Sequence, residues 1–283
     1  MSYLILGAQG MLGEALSTLL GEDAVALSRD QADITNEQSI RQAIAQYHPD
    51  VIINTAAYNA VDLCEQDEAE QAKAQAINAE APGMLAALCK EQGMVFVHYS
   101  TDYVFSGNTT QGYTEDAKTD PLSFYGKTKA DGEKAVQEQG EKYYIIRLAR
   151  LFGKQGSGTS AKKNFIDTML WLATEGKKEH LDIVDTEIGS PTYAPDLAVF
   201  TKQLIDDAAP FGIYHGANEG ECSWYELANT AFAVAGITVS TAPCGSDKYP
   251  RPAKRPVHAT LINTKRPAQR HWKEAVREYV SSV

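Results

Sequence analysis

No apolar run in this chain approaches the ~20 residues that a helix needs to cross a bilayer, which argues against a membrane-spanning helix. The first residues, Met1-Ser2-Tyr3-Leu4-Ile5-Leu6-Gly7, carry no positive segment, and their apolar stretch is short for a secretory signal. Cysteine is scarce: four residues, Cys64, Cys89, Cys222 and Cys244, with no CxxC spacing. Scattered thiols of this kind are expected to stay reduced in a cytoplasmic protein. The six histidines form no HxxxH or HExxH pair, so the metal expectation is none for zinc, and no pattern supports Mg2+. Positive charge is also short, with 26 Lys and Arg against 37 Asp and Glu and a net charge of −11. That balance argues against nucleic acid, whose phosphates call for Lys and Arg, and against adsorption to an anionic membrane. Repeats and low-complexity tracts are missing.

What is present begins at the N-terminus. Residues 3–6 read as a buried strand, Gly7-Ala8-Gln9-Gly10-Met11-Leu12-Gly13 follows, and 14–20 has helical periodicity. Strand, glycine turn and helix start make a dinucleotide fingerprint with GxxGxxG spacing. Glycines allow the tight turn, and the helix N-terminus receives a pyrophosphate. A plain glycine-rich turn is the alternative. Residues 24–27 form a second strand, followed by Ser28-Arg29 where an adenine ribose would lie. An arginine there suits a 2′-phosphate and leans toward NADPH over NADH; a solvated Arg29 is the competing view. Asp33-Ile34-Thr35 leads into a helix over 36–46, capped by Thr35 or Asn36. Residues 51–54 are a third strand, ending in Thr55-Ala56-Ala57-Tyr58, small residues that leave room for a ligand.

A long helical stretch over 66–92 carries Glu65, Asp67, Glu68 and Glu70 at its start, a solvated acidic face rather than a cation site. A fourth strand over 94–97 runs into Ser100-Thr101-Asp102-Tyr103-Val104-Phe105. Thr101 can hydrogen-bond a substrate oxygen there, or simply cap the strand end. The helix that follows bears Tyr125-Gly126-Lys127-Thr128-Lys129. Positions i and i+4 share a helix face, so Lys129 is expected beneath the phenol of Tyr125, lowering its pKa and preparing it to protonate a carbonyl oxygen. Chance supplies about one such pair in a chain with this much Tyr and Lys, so its weight rests on its position. Residues 143–148 are the next strand.

Past 150 the alternation weakens. Residues 153–163 read as a flexible loop, Asn164-Phe165 open a helix reaching about 174, and 181–184 is strand-like. A turn over 188–192 holds Pro191, a helix over 195–205 starts with Pro195, and 212–215 is a short strand. Ser223 and Glu226 form a capping box for a helix to 235. The most basic run holds Lys248, Arg251, Lys254 and Arg255 among Pro250, Pro252 and Pro256. It suits pyrophosphate recognition, or a surface loop closed by internal ion pairs. At 283 residues a large domain with a smaller lobe is expected. The fold class is α/β: a doubly wound parallel Rossmann-type sheet over 1–150, rejoined by strands within 181–215, and a smaller C-terminal α/β substrate-binding lobe over 151–283.

On these residues the chain resembles the extended short-chain dehydrogenase/reductase superfamily and, within it, the dTDP-4-dehydrorhamnose reductase family. The resemblance covers nearly the whole chain. Besides the glycine turn, Asp33-Ile34-Thr35 and Tyr125 to Lys129, it is carried by Asn54 to Tyr58 with Ala60-Val61-Asp62. It also rests on Tyr99 to Phe105, Asn164-Phe165, Gly189-Ser190-Pro191-Thr192 and the Arg-Pro pairs at 251 and 255. It implies NAD(P)H-dependent reduction of the 4-keto group of a dTDP-linked 6-deoxyhexose, dTDP-4-dehydro-L-rhamnose to dTDP-L-rhamnose, for surface polysaccharide precursors. By this resemblance Tyr125 is the proton donor, Lys129 its modulator and the ligand of the nicotinamide ribose, and Thr101 the third catalytic member. Gly7, Gln9, Gly10, Met11, Leu12 and Gly13 would hold the cofactor pyrophosphate. Ser28, Arg29, Asp33 and Ile34 would hold the adenosine, and Ala56, Ala57 and Tyr58 the bridge to the nicotinamide. Val61, Asp102, Tyr103, Phe105 and Pro191 would lie on the substrate side, with Asn164, Phe165 and Arg255 on the nucleotide and diphosphate. A homodimer and a Mg2+ requirement, described for some members, stay open. The chain departs from the family pattern at Arg150, where an aromatic is usual, at Asn59 for Thr, at Ala259 for Ser, and in the longer loop over 155–163. These departures cluster around the substrate. An epimerase or dehydratase with retained NAD, a reductase of another dTDP-4-keto-6-deoxysugar, and a non-catalytic regulatory subunit are the alternatives.

Overall fold

In the computed structural model, which describes residues 1–159 and 161–282, six parallel strands form the central sheet. They are β1 (Tyr3–Leu6), β2 (Ala24–Leu27), β3 (Val51–Asn54), β4 (Val95–Thr101), β5 (Tyr143–Leu148) and the strand Gly212–His215. In space the order runs Gly212–His215, β5, β4, β3, β1, β2. The direction of winding therefore reverses between β1 and β3, which opens a crevice at their C-terminal ends.

Helices cover both faces, which is why β1 and β3 are buried at every position rather than at alternate ones. They are α1 (Met11–Leu20), α2 (Glu37–Tyr47), α3 (Glu68–Gln75), α4 (Ala81–Gln92), α5 (Phe124–Gln139), α6 (Phe165–Ala173), α7 (Ala194–Asp206), α8 (Trp224–Ala235) and α9 (Trp272–Ser282). Successive strand residues point to opposite faces. Ile5 and Ile53 meet Leu12 and Leu16 of α1 and Leu197 and Phe200 of α7. Leu4, Leu6 and Ile52 meet Ile40 of α2, Leu85 and Leu88 of α4, and Val136 of α5. This is the doubly wound α/β fold. A third core beyond it joins α6, α8 and α9 around Phe152, Tyr193 and Trp272.

Several local expectations are refined. The stretch over 66–92 is α3, a π-helical turn Ala76–Glu80, and α4. β4 runs beyond the expected 94–97 to Thr101, with Ser100 and Thr101 paired to Arg147 and Leu148 of β5. The turn over 188–192 contains two short strands, Ile188–Gly189 and Thr192–Tyr193. Asn36, Asn164 and Ser223 cap their helices, Ser223 through a complete capping box with Glu226. The strand-like stretch over 181–184 is His180–Val184, paired in parallel with Ser240–Cys244. That partner strand and helix α9 were not among the expected elements, although Trp272, Ala275, Val276, Tyr279 and Val280 of α9 recur at helical spacing.

One buried charge pair locks β5 to α5. Arg147 donates to both carboxylate oxygens of Glu133, at 2.8 and 2.7 Å, and its guanidinium lies 5.0 Å over the ring of Phe105. No helix among the described residues is long and apolar enough to cross a membrane.

Candidate active site

The glycine turn leaves β1 at the crevice. Gly7 has φ of +77°, and a Cβ on it would come within 2.7 Å of the Ala56 backbone nitrogen. Both the backbone conformation and the approach require glycine. Gly10 is the extended N-cap of α1 and makes no side-chain cap, which leaves first-turn N–H groups available to an anion. A Cβ on Gly13 would meet Ala8 at 2.7 Å, so α1 packs directly on the turn. These residues fit a dinucleotide pyrophosphate. Gln9 is exposed and Met11 half-buried. The Leu12 side chain belongs to the core, which leaves only its backbone N–H for a ligand.

The loop expected to be flexible is anchored here. The Gly158 N–H donates to the carbonyl of Gln9 at 3.1 Å, and the Ser157 N–H donates to the Glu14 carboxylate at 2.6 Å. A Cβ on Gly156 would come within 2.3 Å of the Gln9 carbonyl oxygen. Residue 160 of that loop lies outside the described residues.

At the end of β2, the Ser28 N–H and hydroxyl both bind the Gln31 side-chain oxygen. Arg29 is 77% exposed in its side chain and pairs loosely with Asp33 at 3.9 Å, so its guanidinium is accessible to an anion such as a 2′-phosphate. Asp33 accepts from the Thr35 N–H and hydroxyl. Ile34 is buried in the core and has no exposed surface to offer an adenosine. Beyond β3, the Ala56 N–H donates to Asn54 Oδ1 at 3.1 Å and the Tyr58 N–H to Asn78 Oδ1 at 2.8 Å. Two buried asparagines thus brace Ala56, Ala57 and Tyr58.

Thr101 ends β4. Its hydroxyl donates to Asp102 at 2.9 Å and accepts the Tyr103 N–H at 3.2 Å. Tyr125 lies in the first turn of α5, its hydroxyl donating to Asn59 Oδ1 at 3.3 Å and its ring meeting Tyr103 edge-on at 5.5 Å. Burial, then the charge of Asp102, pushes the Tyr125 phenol above its ordinary pKa, and the nearby Thr101 hydroxyl opposes the shift. The expected lowering by Lys129 is not what the structure has. The Lys129 Nζ is turned to β4, donating to the Tyr99 carbonyl at 2.6 Å and lying 3.4 Å from His98 Nε2. Tyr125 is consequently a neutral acid at neutral pH. Burial lowers Lys129 to about 8, with Glu133 opposing. Burial raises Asp102 to about 6, with Thr101 and Arg150 opposing.

Arg150 adopts a left-handed backbone, φ of +48°. Its guanidinium stacks 4.2 Å over Trp224 and donates to the carbonyls of Cys222 and Glu187, each at 2.7 Å. Trp224 in turn meets Phe165, ring centroids 4.6 Å apart. Arg255 forks the Asp62 carboxylate at 2.9 and 2.7 Å, Arg251 pairs with Glu187, and Lys248 with Asp182 at 2.5 Å. The basic run is therefore held by internal ion pairs, with Lys254 exposed. Val61 packs beside Tyr58, Tyr103 and Tyr125.

Three expected substrate contacts are structural in this chain. Phe105 is fully buried, stacked on Tyr113 at 4.2 Å and covered by Arg147, so it offers no surface to a ligand. The Asn164 amide donates to the Gly153 carbonyl and to Tyr279, each at 2.9 Å, and its oxygen caps α6; tying α6 to α9 uses its polar atoms. Pro191 is buried and its carbonyl accepts from Asn218. Sequence reasoning missed Asn59 as the partner of Tyr125, although its departure from a usual Thr was visible. It gave no role to Asn54, although that residue opens the motif Asn54 to Tyr58, and it missed His98, Glu187 and Trp224, which carry no local signal. Among the described residues no group of three or more His, Cys, Asp or Glu is placed to hold a metal ion.

The model of the RmlD substrate binding domain family matches residues 1–283. A dTDP-4-dehydrorhamnose reductase of Mycolicibacterium smegmatis is 38% identical over 99% of this chain and 85% of its own length. The solved structure of a dTDP-4-dehydrorhamnose reductase from Clostridium acetobutylicum has a TM-score of 0.91 at 37% identity, covering 100% of this chain and 99% of that one. That of the Bacillus anthracis dTDP-4-dehydrorhamnose reductase, in complex with NADP, has a TM-score of 0.92 at 32% identity and covers 100% of both chains. With a match along its whole length and relatives above 30% identity, the chain belongs to the dTDP-4-dehydrorhamnose reductase family.

Proposed function

We propose that this chain reduces the 4-keto group of dTDP-4-dehydro-L-rhamnose to dTDP-L-rhamnose, with NADPH as the preferred donor and NADH as the alternative. The observation that carries the reading is the convergence of Thr101, Asp102 and Tyr125 at the end of β4, in a sheet whose β1–α1 turn fits a dinucleotide. The dinucleotide, when bound, supplies the hydride. Tyr125, protonated at neutral pH, gives its proton to the carbonyl oxygen as negative charge develops there. Asn59 orients the hydroxyl, and Thr101 adds a second hydroxyl to the same oxygen site. Arg255, already opposite Asp62, is the cation placed to exchange that partner for a diphosphate.

In this reading residues 1–150 hold the cofactor and 151–283 mainly the sugar nucleotide. The work is cytoplasmic synthesis of a polysaccharide precursor, by a chain that sedimentation would test as a homodimer. A second reading, reduction of another dTDP-4-keto-6-deoxysugar, is favoured by one feature: Arg150 and Trp224 together place a charged, stacked pair where an aromatic is usual. NADPH oxidation against a panel of nucleotide-linked 4-keto sugars tests both. Stoichiometric oxidation with dTDP-4-dehydro-L-rhamnose supports the first. A sugar epimerised with no net oxidation, or no turnover of any ketone, overturns both.

A further inference from the structure

A chain of polar groups runs from β3 through β4 to α5 beneath the reacting end. Asn54 Oδ1 accepts the Ala56 N–H at 3.1 Å, which fixes the orientation of its amide. Its Nδ2 then faces His98 Nδ1 at 3.3 Å. An amide nitrogen only donates, so Nδ1 must accept, and the neutral ring carries its proton on Nε2. That nitrogen faces Lys129 Nζ at 3.4 Å. An ammonium has three donors and no acceptor, so two N–H groups would oppose each other there. The other tautomer moves the conflict to Asn54, and flipping the amide moves it to Ala56. A neutral amine removes it: its lone pair accepts from His98 while its N–H donates to the Tyr99 carbonyl at 2.6 Å.

We propose that Asn54 and His98 are positioning residues forming a hydrogen-bond relay that stabilises the neutral amine of Lys129 and so makes its ammonium easier to deprotonate. The charges facing Lys129 allow this. From β4 come the His98 ring and the Tyr99 carbonyl. From α5 itself comes Glu133, the one group that favours the ammonium, and its two oxygens are already forked by Arg147 of β5. Imidazolium would not relieve the conflict, since both ring nitrogens would then donate and Nδ1 would oppose the Asn54 amide, and burial, then Lys129, holds His98 well below its ordinary pKa. Lys129, lowered to about 8, is thereby a group that changes charge close to neutral pH, one helical turn from Tyr125. The inference rests on the proposed reaction only for the expectation that Lys129 modulates Tyr125, and its test needs no turnover.

The test is an NMR titration of the cofactor-free protein. It follows the lysine ε-carbon signals, with Lys129 assigned by its loss in Lys129→Arg, and the ring nitrogens of His98. In the native chain the ring proton is expected on Nε2 when Lys129 is neutral. Asn54→Asp keeps an oxygen for Ala56 and offers an acceptor to Nδ1, which frees Nε2 to accept from an ammonium. The Lys129 midpoint is expected to rise by about one pH unit or more. His98→Phe keeps an aromatic ring beside Phe96, on which His98 stacks, and removes the relay. Combining it with Asn54→Asp separates the relay from the added charge, and the rise is expected to vanish in the double variant. A ring proton on Nδ1 in the native chain, an unmoved midpoint in Asn54→Asp, or an equal rise in the double variant would each overturn the relay. If His98→Phe does not fold, the native tautomer and Asn54→Asp still decide. A chain that shows the relay but reduces no ketone would sink the proposed reaction and leave this inference standing.

Discussion

The Tyr125 hydroxyl donates to the side-chain oxygen of Asn59 at 3.3 Å, across 66 residues of sequence. This bond fixes the direction of the proton of a buried phenol, toward the segment after β3. A neutral hydrogen bond of this kind contributes about 0.5–1.5 kcal/mol. Asn59→Ala should therefore lower kcat by roughly two- to tenfold and leave dinucleotide affinity unchanged. Steady-state kinetics with both substrates varied will read the split; a change confined to the dinucleotide KM would assign Asn59 elsewhere.

Asp102 makes stability depend on pH. Its carboxyl is raised by burial to about 6 from 3.8, so the folded chain binds a proton that the unfolded chain has lost. Stability from this group is fully present below about pH 4 and is lost as pH rises through 6, at most about 3 kcal/mol in all. Asp102→Asn removes the titration. Denaturant melts should show the variant gaining on the native chain between pH 4 and 7, with the advantage level above that. A constant difference across the range would contradict the assignment.

Loop 155–158 touches the glycine turn so closely that a methyl group has no room at Gly156. Gly156→Ala should push the loop off Gln9 and weaken dinucleotide binding about tenfold, or 1.4 kcal/mol, with the melting temperature nearly unchanged. Fluorescence titration with NADPH measures it. Unchanged affinity would make the contact incidental.

The buried pair and a surface pair should differ sharply. Glu133→Gln leaves Arg147 charged and unpaired in the interior, a change that costs about 3–5 kcal/mol. Lys127→Ala breaks an exposed pair with Asp131 at 3.7 Å and should cost about 0.5 kcal/mol or less. Urea midpoints of the two variants make the comparison.

What could be read beforehand follows the range of the forces involved. The β1–turn–α1 unit, the Ser223 cap and the spacing of Tyr125 and Lys129 are local, and all appear as residue patterns. Asn59 under Tyr125, Asp62 under Arg255 and His98 against Lys129 join segments that only the sheet topology brings together, so no periodicity announces them. Phe105 shows the converse: its motif suggested a ligand contact, but packing between Tyr113 and Arg147 took its surface. Lys129 shares a helix face with Tyr125 as its spacing requires, yet the Tyr99 carbonyl takes its Nζ. Neighbourhood on a helix therefore did not become contact.

The central claim is that Tyr125 delivers the proton. It is tested most directly by Tyr125→Phe with dTDP-4-dehydro-L-rhamnose and NADPH, with kcat and NADPH affinity measured on the same preparation. Loss of general acid catalysis should lower kcat by about a hundredfold or more while the NADPH dissociation constant stays within about twofold. Activity surviving within about tenfold of the native chain would contradict the assignment.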